Sequence, residues 1–75
     1  MNIIGQMAGN VWQVLNDDGQ QQYKQVKEKV LETFKETPMK EQRFAMAIGW
    51  LAREEKLNFV EQGKGKRYRL FLELK

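Results

Sequence analysis

The chain has 75 residues, with 13 Lys plus Arg against 10 Asp plus Glu, one Pro, no His and no Cys. At this length only about 60–65% of the unfolded surface can be buried, enough for one small core. Without Cys or His the atoms for thiol catalysis, a Ser-His-Asp triad, a zinc finger or an imidazole metal site are missing. The expectation is a single domain over residues 1–75 that is not an enzyme and carries no metal and no cofactor.

The lack of cysteine fits a reducing compartment. The first residues, Met1 to Gly9, form neither a basic region nor an apolar run long enough for export, so a cytoplasmic location is expected. No stretch approaches the roughly 18 consecutive apolar residues of a membrane span. A hydrophobic content of 41% with 2 Trp, 2 Tyr and 4 Phe is too high for a disordered chain.

In chain order, Ile4, Met7, Ala8, Val11, Trp12 and Leu15 recur at the spacing that lines one face of an α-helix, which places Trp12 in the core. Asn16-Asp17-Asp18-Gly19 ends that helix, since Gly19 can take the left-handed conformation just beyond a helix end. Gln20 to Gln22 can form a short extended segment that pairs with a later strand. Tyr23, Val26, Val30, Leu31 and Phe34 then make a second helical stripe, with Lys and Glu filling most other positions.

Thr37-Pro38 predicts the start of a third helix, with Thr37 as N-cap and Pro38 at the first helical position. It runs to about Glu55, with Phe44, Ile48, Leu51 and Ala52 inward, and joins the second helix through about three residues around Glu36. Gly49, which costs about 1 kcal/mol relative to Ala within a helix, is expected to permit close approach of another element. After Lys56 the period changes from 3.6 to 2. Leu57 and Phe59, then Tyr68, Leu70, Leu72 and Leu74, flank Gly63-Lys64-Gly65-Lys66 and predict a β-hairpin whose Leu and Tyr face packs on the helices.

The fold class this order predicts is α+β, a winged helix-turn-helix: three helices plus a C-terminal β-hairpin wing, with a short strand before helix two. Residues 4–12 (Ile-Gly-Gln-Met-Ala-Gly-Asn-Val-Trp) and 47–57 (Ala-Ile-Gly-Trp-Leu-Ala-Arg-Glu-Glu-Lys-Leu) resemble a family of small stand-alone bacterial winged helix-turn-helix proteins, most of unknown function. The resemblance covers nearly the whole chain. It implies that fold and a DNA-binding role, and carries over no catalytic residue, cofactor or substrate.

Charge supports a nucleic-acid partner. Asp17 and Asp18 are the only ionisable side chains in residues 1–22, whereas residues 57–69 hold Lys64, Lys66, Arg67 and Arg69 against Glu61 alone. A Gly-rich basic loop can follow a phosphate backbone, although basic hairpin tips also serve simply to discourage edge aggregation. On helix three, the face opposite the core carries Met39, Gln42, Arg43, Met46, Gly49, Trp50 and Arg53. Gln42, Arg43 and Arg53 have the donors to read base edges or hold phosphates. Met39, Met46 and Trp50 suit a polar groove poorly and support a second reading, a protein-docking patch, while Trp50 is also placed to close the core against the hairpin.

The reading is therefore a DNA-binding protein, a transcriptional regulator, with a recognition helix over about 38–55 and a basic wing over 63–69. The alternative is a protein-protein interaction module using the same fold. Double-stranded DNA is the expected partner. A homodimer is expected too, because one domain of this size buries little DNA surface, with helix one, through Ile3 or Val14, as its surface.

Overall fold

The computed structural model describes residues 2–75. The elements are α1 (Ile3–Asp18), β1 (Gln21–Gln22), α2 (Tyr23–Thr33), α3 (Lys40–Arg53), β2 (Leu57–Gln62) and β3 (Arg69–Leu74), with a 3-10 turn, Gly65–Arg67, between the last two strands. Three helices pack beside a three-stranded antiparallel sheet of order β1-β3-β2, the α+β architecture that the periodicities predict.

Helix α1 begins where the Asn2 side chain accepts a hydrogen bond from the Ile4 N–H at 2.9 Å, and ends at Gly19, whose φ of 74° and N–H to Leu15 O bond close it. The left-handed exit read from Asn-Asp-Asp-Gly is present. Gln21 and Gln22 do form a strand, paired with Leu72 and Phe71 of β3. The Gln21 side chain is buried, a position that demands hydrogen-bond partners. Its Nε2 donates to Val14 O at 3.2 Å and Gly19 O at 3.4 Å, and its Oε1 accepts from Lys29 Nζ at 2.6 Å. The end of α1, strand β1 and the middle of α2 are thereby held as one corner.

The core is a single cluster. Met7, Ala8, Val11 and Leu15 of α1, Val26 and Val30 of α2, Phe44, Ala47, Ile48 and Leu51 of α3, Leu57 and Leu72 meet in it. Phe44 is the largest fully buried side chain, and the Tyr23 ring packs edge-on against it with centroids 5.5 Å apart, a geometry that sets ring edge against ring face.

Four expectations are corrected. Helix α3 starts at Lys40 rather than at Pro38, because Met39 adopts a left-handed conformation (φ 55°) that turns the chain after the proline; Thr37 caps nothing, and six residues rather than three separate α2 from α3. Trp12 and Trp50 are 40% and 48% exposed, so neither closes the core. Tyr68 also stands out from the core, at the base of the wing. Among the described residues Gly49 packs against no other element: nothing beyond its own helix comes within 4 Å of where a Cβ would sit.

Across the α2–α3 turn, Lys27 Nζ meets Glu41 Oε1 at 2.9 Å. The hydrogen bond from Lys27 holds the Glu41 carboxyl below its ordinary value, and the same bond raises Lys27 above its own. The lowered carboxyl contributes stability above the ordinary carboxylate range and loses it as pH falls through the folded value, whereas the raised ammonium loses its share only as pH rises through the folded Lys27 value. Both side chains are solvated, so the clip orients more than it stabilises. Lys27→Met should let Glu41 titrate in the ordinary carboxylate range, read by NMR of the carboxyl carbon; an unchanged titration would break the assignment. Phe44→Ala should lower the unfolding free energy by about 3–5 kcal/mol in a denaturant titration, the cost of emptying a filled aromatic site.

Candidate nucleic-acid interface

The residues with phosphate or base chemistry fall into two groups. The first is on α3. At about 100° per residue, Gln42, Ala45, Gly49 and Arg53 form a ridge pointing away from Phe44 and Leu51. All four are exposed, and the exposed Met46 side chain stands beside them between Gln42 and Arg53. Arg43 is half-buried and lies on the flank of the helix with Trp50, about a quarter-turn from Gln42, and Met46 stands between that flank and the ridge. Arg53, in the last turn, also complements the helix dipole.

The second group is the wing. Strands β2 and β3 pair from Leu57↔Leu74 to Gln62↔Arg69, and residues 63–68 cross between them. Gly63 has φ 79° and a hydrogen where a Cβ would run into the carbonyl of Arg67; Gly65 has φ 55°. These two glycines let the loop fold into a tight turn, closed by Arg67 N–H to Lys64 O at 3.0 Å and Tyr68 N–H to Gly65 O at 3.1 Å. Lys64, Lys66, Arg67 and Arg69 all project into solvent from an ordered turn. Among the described residues none of the four forms an ion pair; the ion pairs there are Lys27–Glu41, Lys29–Asp18 and Lys75–Glu55. Arg69 donates instead to Tyr68 O at 2.8 Å. The Tyr68 hydroxyl donates to Glu61 at 3.2 Å across the base of the wing, and desolvation together with that bond raises its pKa.

A cleft of about 460 Å³ runs between the wing base and the start of α2, lined by Gln22, Tyr23, Lys24, Tyr68, Arg69 and Leu70. It brings Lys24 beside Arg69, a neighbour the sequence reading did not include. The signal was the register of Gln22 on Phe71, which sets the first turn of α2 beside the wing and which periodicity does not carry.

The residues expected to dock a protein are exposed as well: Met39, Met46 and Trp50. Met46 and Trp50 share a groove of about 370 Å³ with Asn2, Ile4 and Gly5 of α1, while Met39 does not line it. On the other flank of α1, where a dimer surface was expected, Val14 packs against the core and Ile3 is half-buried. No helix among the described residues is long and apolar enough to cross a membrane.

Residues 1–70 match the model of the winged helix-turn-helix domain family DUF2582, and the chain belongs to that family. No curated protein and no solved structure matches it. The family match agrees with the fold and with the resemblance carried by residues 4–12 and 47–57. Winged helix-turn-helix domains in general bind DNA.

The wing geometry is tested at its first glycine. Gly63→Ala forces a side chain into a left-handed position and against the Arg67 carbonyl, and should cost at least about 1 kcal/mol. Amide shift changes are expected to concentrate in residues 60–70; unchanged shifts there would show that the turn is not built as described.

Proposed function

We propose that this member of the winged helix-turn-helix family binds double-stranded DNA and acts in the cytoplasm as a transcriptional regulator, not as an enzyme. The exposed face of α3 enters the major groove, with Gln42 and Arg53 at either end of it and Arg43 reaching from the flank. Lys64, Lys66, Arg67 and Arg69 follow the phosphate backbone, and Lys24 adds a further cation beside Arg69.

The observation that carries this reading is the concentration of exposed cations on the wing. Lys64, Lys66, Arg67 and Arg69 fall within six residues, all exposed and none in an ion pair, with only Glu61 as a nearby carboxylate, itself engaged by Tyr68. Cations held in place without partners contribute most where they displace counterions from a polyanion. Family membership and the open ridge of α3 support the same partner. The base edges that Gln and Arg pair with bidentately are adenine and guanine.

Titration with random-sequence duplex DNA at several salt concentrations tests the reading. Four phosphate contacts at about −0.9 each give a slope of log affinity against log salt of about −3 to −4 per chain. Replacing both Lys64 and Lys66 by Ala should weaken binding to all sequences alike and flatten the slope by about 2. Gln42→Ala should cost about 1–3 kcal/mol at one base position and relax preference there. An absence of measurable affinity at low salt would overturn the proposal.

A further inference from the structure

The uncovered surface between α1 and α3 has a separate use. We propose that it is a homodimer interface in which the two α1 helices cross antiparallel at Gly9, each Trp12 entering the groove that its partner copy forms from Ile4, Gly5, Met46 and Trp50. This stands independently of the DNA reading.

Four observations on different residues carry it. First, Trp12, Met46 and Trp50 are 40%, 54% and 48% exposed, a concentration of large apolar side chains that a small soluble domain rarely leaves open. Second, the groove of about 370 Å³ is lined by Asn2, Ile4, Gly5, Met46 and Trp50, with no charged side chain, and is of a size to receive an indole. Third, the flank of α1 that carries Gly5 also carries Gly9 and Trp12, at i+4 and i+7. Gly9 costs helix stability of about 1 kcal/mol relative to Ala, yet beyond its own helix backbone no atom of the described residues comes within 4 Å of its Cβ position, so no contact among them requires it. Fourth, no ionisable side chain occurs before Asp17 in a chain that is 31% charged, so the whole exposed side of α1 up to Asn16 is neutral.

The occupant follows from symmetry and charge. A two-fold interface sets each patch against its own copy, so any net charge on it would meet like charge; a neutral helix is the surface that tolerates this. The arrangement is also geometrically closed. Gly5 at the groove and Trp12 at the knob lie either side of Gly9, so a two-fold axis over Gly9 carries each Trp12 to the other copy's groove, and the missing Cβ at the axis lets the helices touch. A helix of 16 residues is about 24 Å long, and with the groove and both indoles it can supply much of the roughly 800 Å² per partner that a stable interface buries. On α3 the interface borders the ridge: Trp50 lies about 60–100° round the helix from Gln42, Gly49 and Arg53, and Met46 about 20–60°.

Sedimentation equilibrium of the intact chain without DNA is the test. The protein should sediment at twice its 8.9 kDa mass at micromolar concentrations and above. Trp12→Ala should weaken dimerisation by about tenfold or more. Gly9→Lys and Gly9→Glu should each be monomeric with unchanged helical circular dichroism, because the position is exposed and unobstructed, and mixing the two should restore a dimer, since only at the axis does each charge face its opposite. A wild-type chain that stays monomeric up to sub-millimolar concentration overturns the proposal, as does a dimer indifferent to Gly9→Lys and Trp12→Ala. Neither result bears on DNA affinity, which is read in the salt titration.

Discussion

The pairing of Gln21 with Leu72 is the constraint on which the rest of the structure depends. It joins the α1–α2 corner to the last strand of the chain and converts a two-stranded hairpin, marginal in water, into a three-stranded sheet with β3 at its centre. Leu72 is then flanked by Gln21 on one side and Phe59 on the other and is fully buried beneath the helices. The buried Gln21 side chain fixes the corner from within, because its amide has no water to turn to and must find Val14 O, Gly19 O and Lys29. From that anchor the positions of the wing base, the first turn of α2 and the cleft between them all follow.

A chain this short cannot cover every apolar group it carries. Its single core takes one stripe from each helix and the inward leucines of the sheet, and there is no fourth layer to lie over Trp12, Met46 and Trp50. The helical glycines fit the same account. Gly9 and Gly49 stand on the outside of their helices with open space above them, so the stability they cost is not recovered inside the monomer. Two surfaces built to let something approach closely are left facing outward, one on α1 and one on α3.

Electrostatics divides these surfaces. Lys27, Lys29 and Lys75 are matched to Glu41, Asp18 and Glu55, while the wing gathers four exposed cations without an ion pair. The exposed side of α1 has no charge at all before Asp17. One small domain thus presents a cationic turn suited to a polyanion and a neutral helical face suited to its own copy. They are distinct in the chain, since no ionisable side chain precedes Asp17 and the wing cations fall within residues 64–69.

The elements and their inward stripes can be read from local pattern: the 3.6 spacing of Met7, Val11 and Leu15, of Val26 and Val30, and of Phe44, Ile48 and Leu51, the change to alternation after Lys56, and the Gly19 exit. These are legible because period and turn chemistry are local. The tertiary structure alone decided where residues near the edge of a stripe end up. Trp12 and Trp50 lie roughly a quarter-turn from the centre of their stripes, and whether such a residue is covered depends on which element packs alongside, which spacing does not specify. The start of α3 was decided in the same way: Thr37-Pro38 satisfies every local rule for a helix start, but reaching the core from the end of α2 needed a left-handed turn at Met39. The cleft lined by both Lys24 and Arg69 likewise arose only from strand register, which sets residues 45 apart in the chain around one opening and which no local pattern encodes.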